Sequence, residues 1–357
     1  MKICIIGDGL TGLVVAKALI NNGIYTDVFI SENNQKKDKS RTLGISKTNI
    51  EFFNENILNI ENLIWDIKKI EIYSENLDNE KVIDFEKDDQ RLFSLVRNHE
   101  LIKNLLLKCT KSKFFKLKKN VKNLELIKKK YKLIINCEKN NYITKKYFHK
   151  RFDKNYKSHA FTTIIDHARL SKNNIASQIF TKKGPVAFLP ISEKETSLVC
   201  SLKGNKDINI KDIIKKYNIK YEIKKINKIS CFELKSSNLR SYYNENILAF
   251  GDLLHKIHPL AGQGFNMTIR DVKVLLEIIK FKINLGLDLD NSIFIEFEKR
   301  TKHKNYIFSN GIDFIYEFFN FENKINSHFF SKYIKTVLNN KVSKNFFTKY
   351  ADEGLKS

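Results

Sequence analysis

The sequence predicts an α/β fold: a parallel sheet flanked by helices, with a β-rich insertion and a helical C-terminal end. Three observations predict it. An apolar run, a glycine turn, an apolar helical stretch and a second apolar run follow one another within residues 2–30. Far along the chain, the apolar run Asn246–Phe250 ends in Gly251-Asp252 and leads through a glycine-bearing loop into another helical pattern. Between them, Val186–Pro190 and Ser197–Leu202 read as strands around the polar turn "SEKET", with a covering helix at Ile210–Tyr217.

Lys2–Ile6 is short and almost wholly apolar, the pattern of a strand buried on both faces. Gly7-Asp8-Gly9-Leu10-Thr11-Gly12 follows with GxGxxG spacing. The helix is expected from Leu13 to about Asn22, with Gly23 as its cap, and the second strand at Asp27–Ile30. Glycines in this strand–turn–helix–strand context predict a Rossmann-like dinucleotide site. Gly7 permits the tight turn, Gly9 lets a pyrophosphate approach the backbone, and Gly12 lets the helix close on the strand. Leu10 and Thr11 lie in the turn that leads into the helix, whose free N–H groups and positive end favour phosphate. Glu32 is the candidate for a ribose hydroxyl pair, with Ser31 competing for that register. The motif alone does not separate NAD from FAD.

The second motif separates them. Asp252 stands where a carboxylate can accept from a sugar-like hydroxyl. Gly262 and Gly264 let backbone touch a flat ring. The helix expected from about Asn266 carries Met267, Val272, Leu275, Leu276 and Ile279 at helical spacing, with Gly286 beyond its end. Its positive end would stabilise the negative charge a flavin gains on reduction. A carboxylate on one side and a glycine turn on the other suit a flavin with its ribityl chain, which NAD lacks. Asn266 reads as a helix cap that also touches the ring. His255 and His258 lie in the same loop, but no Cys or carboxylate pattern completes a metal site, so no metal is expected. His258 reads as shaping the loop before Pro259. Gln263 is open between a turn contact and a substrate contact. Arg270-Asp271 reads as an ion pair anchoring the helix start.

These residues carry a resemblance. "GD…HPLAGQGFNMTIRD" is similar to the second FAD motif of the class A flavoprotein aromatic hydroxylases, nearest to the ubiquinone-biosynthesis hydroxylases, where HP-AGQG-N-RD recurs. "SRTLGIS" resembles the family segment whose arginine, here Arg41, lies near the FAD phosphates. "LVRNHELIKNLL" resembles the strand-to-helix entry at which Arg97 would face FAD. "FTKKGPVAFLPIS" and "FEKRTKHKNYIFSNGIDFIYEFF" agree in order, so the likeness runs from residue 1 to about 320. It implies a p-hydroxybenzoate hydroxylase-like architecture. The FAD-binding domain would be discontinuous over 1–70, 96–153 and 236–310, the substrate domain would take 71–95 and 154–235, and 311–357 would form a C-terminal helical segment.

The resemblance also implies FAD as cofactor, NAD(P)H as co-substrate, and hydroxylation of a polyprenylated phenol by O2 through a flavin C4a-hydroperoxide. Gly251, Asp252, Pro259, Gly262, Gly264, Phe265 and Asn266 would hold the flavin, and the Pro259 carbonyl would position substrate. The family's midway motif, A-D-G-x-x-S-x-x-R, is altered. Here Cys137–Lys146 reads "CEKNNYITKK", with Glu138 at the Asp position, Lys139 at the Gly and Tyr142 at the Ser. A left-handed turn without glycine costs about 1 kcal/mol or more. NAD(P)H is therefore less firmly implied than FAD. Two alternatives stay open: a flavin oxidoreductase of the prenyl reductase type without oxygen insertion, and a non-catalytic FAD- or lipid-binding partner.

Composition bounds the remaining classes. With 357 residues, 42% of them hydrophobic, the chain can build a substantial core. Its net charge of +24 reads first as coding bias toward Lys, Asn and Ile, and second as attraction to an anionic partner. There is no compact arginine stripe or nucleic-acid motif, so nucleic acid is not expected as a partner. Five scattered cysteines, none in CxxC, suit a reduced compartment. No apolar run approaches the roughly 18 residues of a spanning helix, and the start lacks a signal-peptide cleavage region. A cytoplasmic location is expected. The Phe-, Tyr- and Lys-rich end reads first as helices packed on the FAD domain and second as a contact with the inner membrane face.

Overall fold

The computed structural model describes residues 2–30, 39–75, 80–86, 90–119, 124–204, 206–258, 262–325, 349 and 352–354. In chain order the strands are Lys2–Ile6 (β1), Tyr25–Phe29 (β2), Thr42–Ser46 (β3), Ile64–Ile67 (β4), Lys69–Ser74 (β5), Glu80–Glu86 (β6), Phe93–Arg97 (β7), Phe115–Lys118 (β8) and Leu133–Asn136 (β9). They continue as Arg151–His167 (β10), Ile175–Thr181 (β11), Gly184–Pro190 (β12), Glu195–Lys203 (β13), Ile223–Ile226 (β14), Ser230–Leu239 (β15), Tyr243–Asn244 (β16), Ile247–Ala249 (β17) and His255–Lys256 (β18). The helices are Leu10–Asn21 (α1), Lys47–Asn56 (α2), Asn98–Thr110 (α3), Leu124–Lys130 (α4), Tyr142–Tyr147 (α5), Ile210–Tyr217 (α6), Gln263–Asn284 (α7) and Ser292–Ile325 (α8).

The apolar run of β1 is buried as its composition requires: Ile3, Cys4 and Ile5 are fully enclosed, between helices on one face and on the other. A six-stranded sheet has the order β16-β17-β9-β1-β2-β8. All its pairings are parallel except β16 with β17. The chain leaves β1 toward β2 on one side and later fills β9 and β17 on the other. This reversal opens a crevice at the carboxyl ends of the strands, where such sheets bind ligands. Leu101 and Leu105 of α3 and Val272, Leu275 and Leu276 of α7 join the same core.

The helix α1 starts a turn earlier than its apolar pattern suggests, because Gly9 is already the extended N-cap. Gly23 follows the helix at φ +72°, and its N–H donates to the Ile20 carbonyl, as a glycine after a helix end does.

A nine-stranded sheet has the order β18-β15-β10-β13-β12-β11-β5-β6, with β14 paired to β10. The expected hairpin is present, Val186 opposite Cys200 and Pro190 opposite Thr196. Alternation splits its side chains between faces. Ile179 faces a core with Phe161, Val186, Leu198 and, from α6, Ile210, Ile214 and Tyr217. Phe180 faces Ile257, Met267, Phe308 and Ile312, so α7 and α8 cover the other face. Burying side chains of this size stabilises by about 1.5–3 kcal/mol each. A small antiparallel sheet, β3-β7-β4, joins the two larger ones.

The 34 residues of α8 are held by a polar stripe that sequence patterning did not reveal. Asn305 donates to Asp271 (3.0 Å), Asn238 donates to Ser309 (3.0 Å), Tyr156 donates to Asp313, and Tyr316 meets Ser158 (3.1 Å). Residues 305, 309, 313 and 316 fall on one helical face. Among the described residues no helix is long and apolar enough to cross a membrane. Of the expected C-terminal segment, 326–348 lies outside the described residues.

Candidate functional site

The site is built where β1, β9 and β17 end abreast. Ile6 and Ala249 both pair with Asn136, so three turns leave one edge side by side. At the first, Gly7 takes φ +106°, a conformation that disfavours any side chain. A Cβ on Gly12 would lie 2.0 Å from the Gly7 carbonyl oxygen, so only glycine lets α1 close on this turn. A Cβ on Gly9 would meet nothing within 4 Å, and no side chain caps α1. Gly9 is exposed at the mouth of an uncapped helix N-terminus, an arrangement suited to phosphate.

The second turn comes from the far end of the chain and touches the first. Gly251 has φ +67°, and a Cβ there would stand 2.5 Å from Thr11 Cγ2 and 2.8 Å from its Oγ1. The two glycine-bearing bends, some 240 residues apart in sequence, are thus in van der Waals contact through the first turn of α1. Asp252 follows, exposed and without a hydrogen-bond partner among the described residues. The helix α7 starts at Gln263, earlier than expected. Gly262 is its N-cap at φ +64°, with Gly44 backbone 3.6 Å from where a Cβ would be. No side chain caps this helix either. Among the described residues, the buried Gln263 finds no partner for its Oε1, and the buried His258 none for either ring nitrogen. Orphaned buried polar atoms usually mark a missing partner. Phosphate-ready N–H groups, a free carboxylate and these orphans fit a bound dinucleotide.

Asn266 is not the cap. It lies inside α7, 2% exposed, and its side chain ties the helix to β3. Its Oδ1 accepts from Ser46 N and from Asn49 Nδ2 (both 3.0 Å), and its Nδ2 donates to the Gly44 carbonyl (3.1 Å). Those bonds use its hydrogen-bonding groups for positioning. Phe265 packs its ring against Phe53 of α2 (6.4 Å between centroids). Gly264 sits above Ile257, and Leu10 packs on the main core. Arg41 is exposed at the head of β3. Arg97 is half-buried and ion-paired to Glu195 (2.6 Å) and Glu100 (3.7 Å), partners that sequence reading did not foresee. Glu32 and Pro259 lie outside the described residues.

Asp271 is held by a different partner than expected. Its Oδ2 meets His255 Nε2 at 2.5 Å while its Oδ1 accepts from Asn305, all buried. The pair links β18 to α7 and α8. Arg270 instead places its guanidinium over the Phe308 ring (4.6 Å). His258 is wedged between Tyr156 and Tyr316, with ring centroids at 4.9 and 4.1 Å. Burial, then the Lys154 charge, pulls its pKa down to about 3, so the imidazole is neutral. Among the described residues no three His, Cys, Asp or Glu side chains cluster to hold a metal.

The third turn is the altered one. Among described non-glycine residues only Lys157 and Glu245 have positive φ, so Lys139 needs no left-handed backbone. The turn is rebuilt by side chains. Asn136 Oδ1 accepts from Glu138 N (3.2 Å) and Asn141 Nδ2 (2.9 Å), Asn136 Nδ2 donates to Thr144 Oγ1 (2.9 Å), and Thr144 Oγ1 donates to the Glu138 carbonyl (2.7 Å). Asn141 then caps α5 by accepting from Thr144 N (2.8 Å). An asparagine–threonine lock does here what glycine does in the resembled pattern.

Comparison with known proteins bears on this geometry. Residues 150–284 match the model of an FAD binding domain. The chain is 24% identical over 244 residues to the ubiquinone biosynthesis monooxygenase COQ6 of Schizosaccharomyces pombe, covering 54% of this chain and 51% of that protein. It is 28% identical over 149 residues to the 3-demethoxyubiquinol 3-hydroxylase of Escherichia coli, covering 39% and 38%. Among solved structures, p-nitrophenol 4-monooxygenase PnpA of Pseudomonas putida superposes with a TM-score of 0.77 at 10% identity, over 99% of this chain and 98% of that one. Klebsiella pneumoniae HpxO, complexed with FAD and uric acid, gives 0.73 at 11% identity, over 99% and 97%. In sequence the chain is similar to ubiquinone-biosynthesis monooxygenases, and in fold to FAD-dependent hydroxylases. Its fold is the p-hydroxybenzoate hydroxylase-like one. The matched stretches span about half or less of the length of these curated relatives.

Proposed function

We propose that the protein is an FAD-dependent monooxygenase that hydroxylates the aromatic ring of a polyprenylated phenol in ubiquinone biosynthesis, using NAD(P)H and O2. The observation that carries this reading is the contact between Gly251 and Thr11, which brings a phosphate-type bend and a carboxylate-bearing bend to one crevice. The names of the relatives support the substrate class. Gly7, Gly9 and the α1 N-terminus would hold the pyrophosphate, Asp252 the ribityl hydroxyls, and Gly262 with the α7 N-terminus the ring. Bound FAD supplies reducing equivalents and oxygen activation. The protein's part is to bind, orient and exclude water, with the Pro259 carbonyl and the Gln263 side chain as positioning groups and Glu32, Arg41 and Arg97 as further cofactor contacts. The division into 1–70, 96–153 and 236–310 against 71–95 and 154–235 belongs to the same reading, supported by the pairing of β5 with β11 in one sheet.

Purified protein should be yellow, and a prenylated phenol should stimulate NAD(P)H oxidation. Product lacking label after turnover under 18O2 would sink the hydroxylase reading. The rebuilt turn at Cys137–Lys146 favours one second reading, a flavin-binding partner that NAD(P)H does not reduce. Anaerobic mixing with NADH and NADPH separates the two, because only the enzyme bleaches. Exposed Phe281, Ile283, Leu285 and Leu287 at the end of α7 support contact with a membrane surface from the cytoplasmic side. Vesicle co-sedimentation that survives replacement of these residues by serine would remove that part.

A further inference from the structure

We propose that Lys139 is a diphosphate-binding residue, contributed by the one part of the rim that departs from the family pattern; this rests on the dinucleotide reading above. The placement is set by the sheet. Cys137 N donates to the Ile6 carbonyl and Phe250 N to the Asn136 carbonyl, both at 2.9 Å. Residues 137–139 therefore leave the edge between the Gly7 turn and Gly251-Asp252. Glu138 Cβ lies 3.6 Å from where a Cβ on Gly7 would be, so the turn rests on the phosphate bend itself. A dinucleotide laid from Gly9 toward Asp252 runs along the sheet edge from which this turn emerges.

The charges there need a cation. Gly251-Asp252 leaves the sheet beside this turn, and the Asp252 carboxylate would repel a diphosphate. Lys139 comes from the same turn, exposed at the rim, on backbone held by the Asn136–Asn141–Thr144 lock. Its ammonium is held below the usual lysine range, first by partial shielding from solvent at the turn and then by the nearby Lys256 and Arg151 charges, against the pull of Asp153 and Asp252. Three cations crowd one another beside Asp252, and an anion between them relieves that repulsion. Lysine binds phosphate as a point charge, which a glycine at this position cannot do. The diphosphate could be that of FAD or of the nicotinamide cofactor, and the two sources are distinguishable.

The test uses the full chain, stripped of flavin, as wild type, Lys139→Gln and Lys139→Arg, each checked for an unchanged melting temperature. Flavin fluorescence follows titration with FAD and with riboflavin, which has no phosphate, over a range of salt. Lys139→Gln is expected to weaken FAD about tenfold, leave riboflavin unchanged and flatten the salt dependence, with Lys139→Arg restoring both. A second arm titrates NADH and NADPH, by their own fluorescence, into the FAD-loaded proteins without oxygen. If FAD is unaffected and a nicotinamide cofactor weakens about tenfold, the residue holds the second dinucleotide. Equal binding of all three dinucleotides to wild type and Lys139→Gln overturns the proposal, as does an equal loss of riboflavin, which would mean a shape change and not a lost charge. Wild type that binds neither FAD nor riboflavin overturns the flavin reading, and this inference falls with it.

Discussion

Gly251→Ala tests the contact on which the site depends. The substitution has two costs that can be worked out separately. Holding a non-glycine residue at φ +67° costs about 1–2 kcal/mol. The new Cβ would also stand 2.5 Å from Thr11 Cγ2, 2.8 Å from Oγ1 and 3.1 Å from Cβ, and relieving such overlap typically costs about 1–3 kcal/mol. The total is about 2–5 kcal/mol of unfolding free energy, read from urea transitions of unchanged slope. Thr11→Ala deletes the two shortest contacts and leaves the third. Combined with Gly251→Ala, it should return about 1–2 kcal/mol relative to the sum of the single changes, since touching residues couple and distant ones do not. FAD affinity should follow the same cycle, because pushing Thr11 aside tilts the N-terminus of α1. Strictly additive effects, or a Gly251→Ala protein as stable as wild type, would mean that the bends do not meet as described.

Other expectations follow from the same geometry. Gly12→Ala forces a Cβ to 2.0 Å from a backbone oxygen that cannot step aside, so circular dichroism should show loss of the native fold or a stability drop above about 3 kcal/mol. Asn266→Ala removes the side-chain acceptor of Ser46 N and a donor to the Gly44 carbonyl, while Asn49 Nδ2 keeps Ser46 Oγ, and should lower stability by about 1–3 kcal/mol in the same urea assay. Asp27 is buried, which pushes its carboxyl up, but Lys118, Tyr131 and Lys2 outweigh this and hold it below the ordinary carboxylate range. Its contribution is present above the unfolded carboxyl pKa of about 4 and is lost as pH falls through the lower folded value, so Asp27→Asn should flatten the acid limb of a stability–pH curve below about pH 4. His258, depressed to about 3, stays neutral while the unfolded chain takes up a proton near pH 6.5. Its contribution is therefore lost between about pH 6.5 and 3, and His258→Phe, which breaks no hydrogen bond among the described residues, should shallow that slope.

What could be read in advance follows from how locally each feature is determined. The βαβ unit was legible because Lys2–Ile6, the glycine spacing and the apolar helix each state their own conformation within a few residues. The hairpin around "SEKET" and the helix at Ile210–Tyr217 were legible for the same reason. Boundaries moved by a turn where glycine served as an extended or left-handed N-cap, at Gly9 and Gly262, a role that leaves no side-chain signature. The bridging role of Asn266 is not legible in the sequence because its partners lie some 220 residues away, and nothing local distinguishes a capping asparagine from one that bridges a helix to a strand. Adjacency in sequence points Asp271 to Arg270, and no local pattern signals that the loop brings His255 to it.

The altered turn shows the converse. Judged by single positions, replacing glycine with Lys139 looked like erosion. Asn136, Asn141 and Thr144 are equally visible in the sequence, but their value appears only when β9 ends where it does and all three side chains close on one carbonyl and two N–H groups. Once polar side chains hold the turn, no position in it requires positive φ, and the position freed from glycine can carry a charge. A family motif read residue by residue therefore understates what a chain can keep, because the constraint it records is a backbone path. Any hydrogen-bonding set that supplies the same path leaves the strand edge, and the crevice above it, intact.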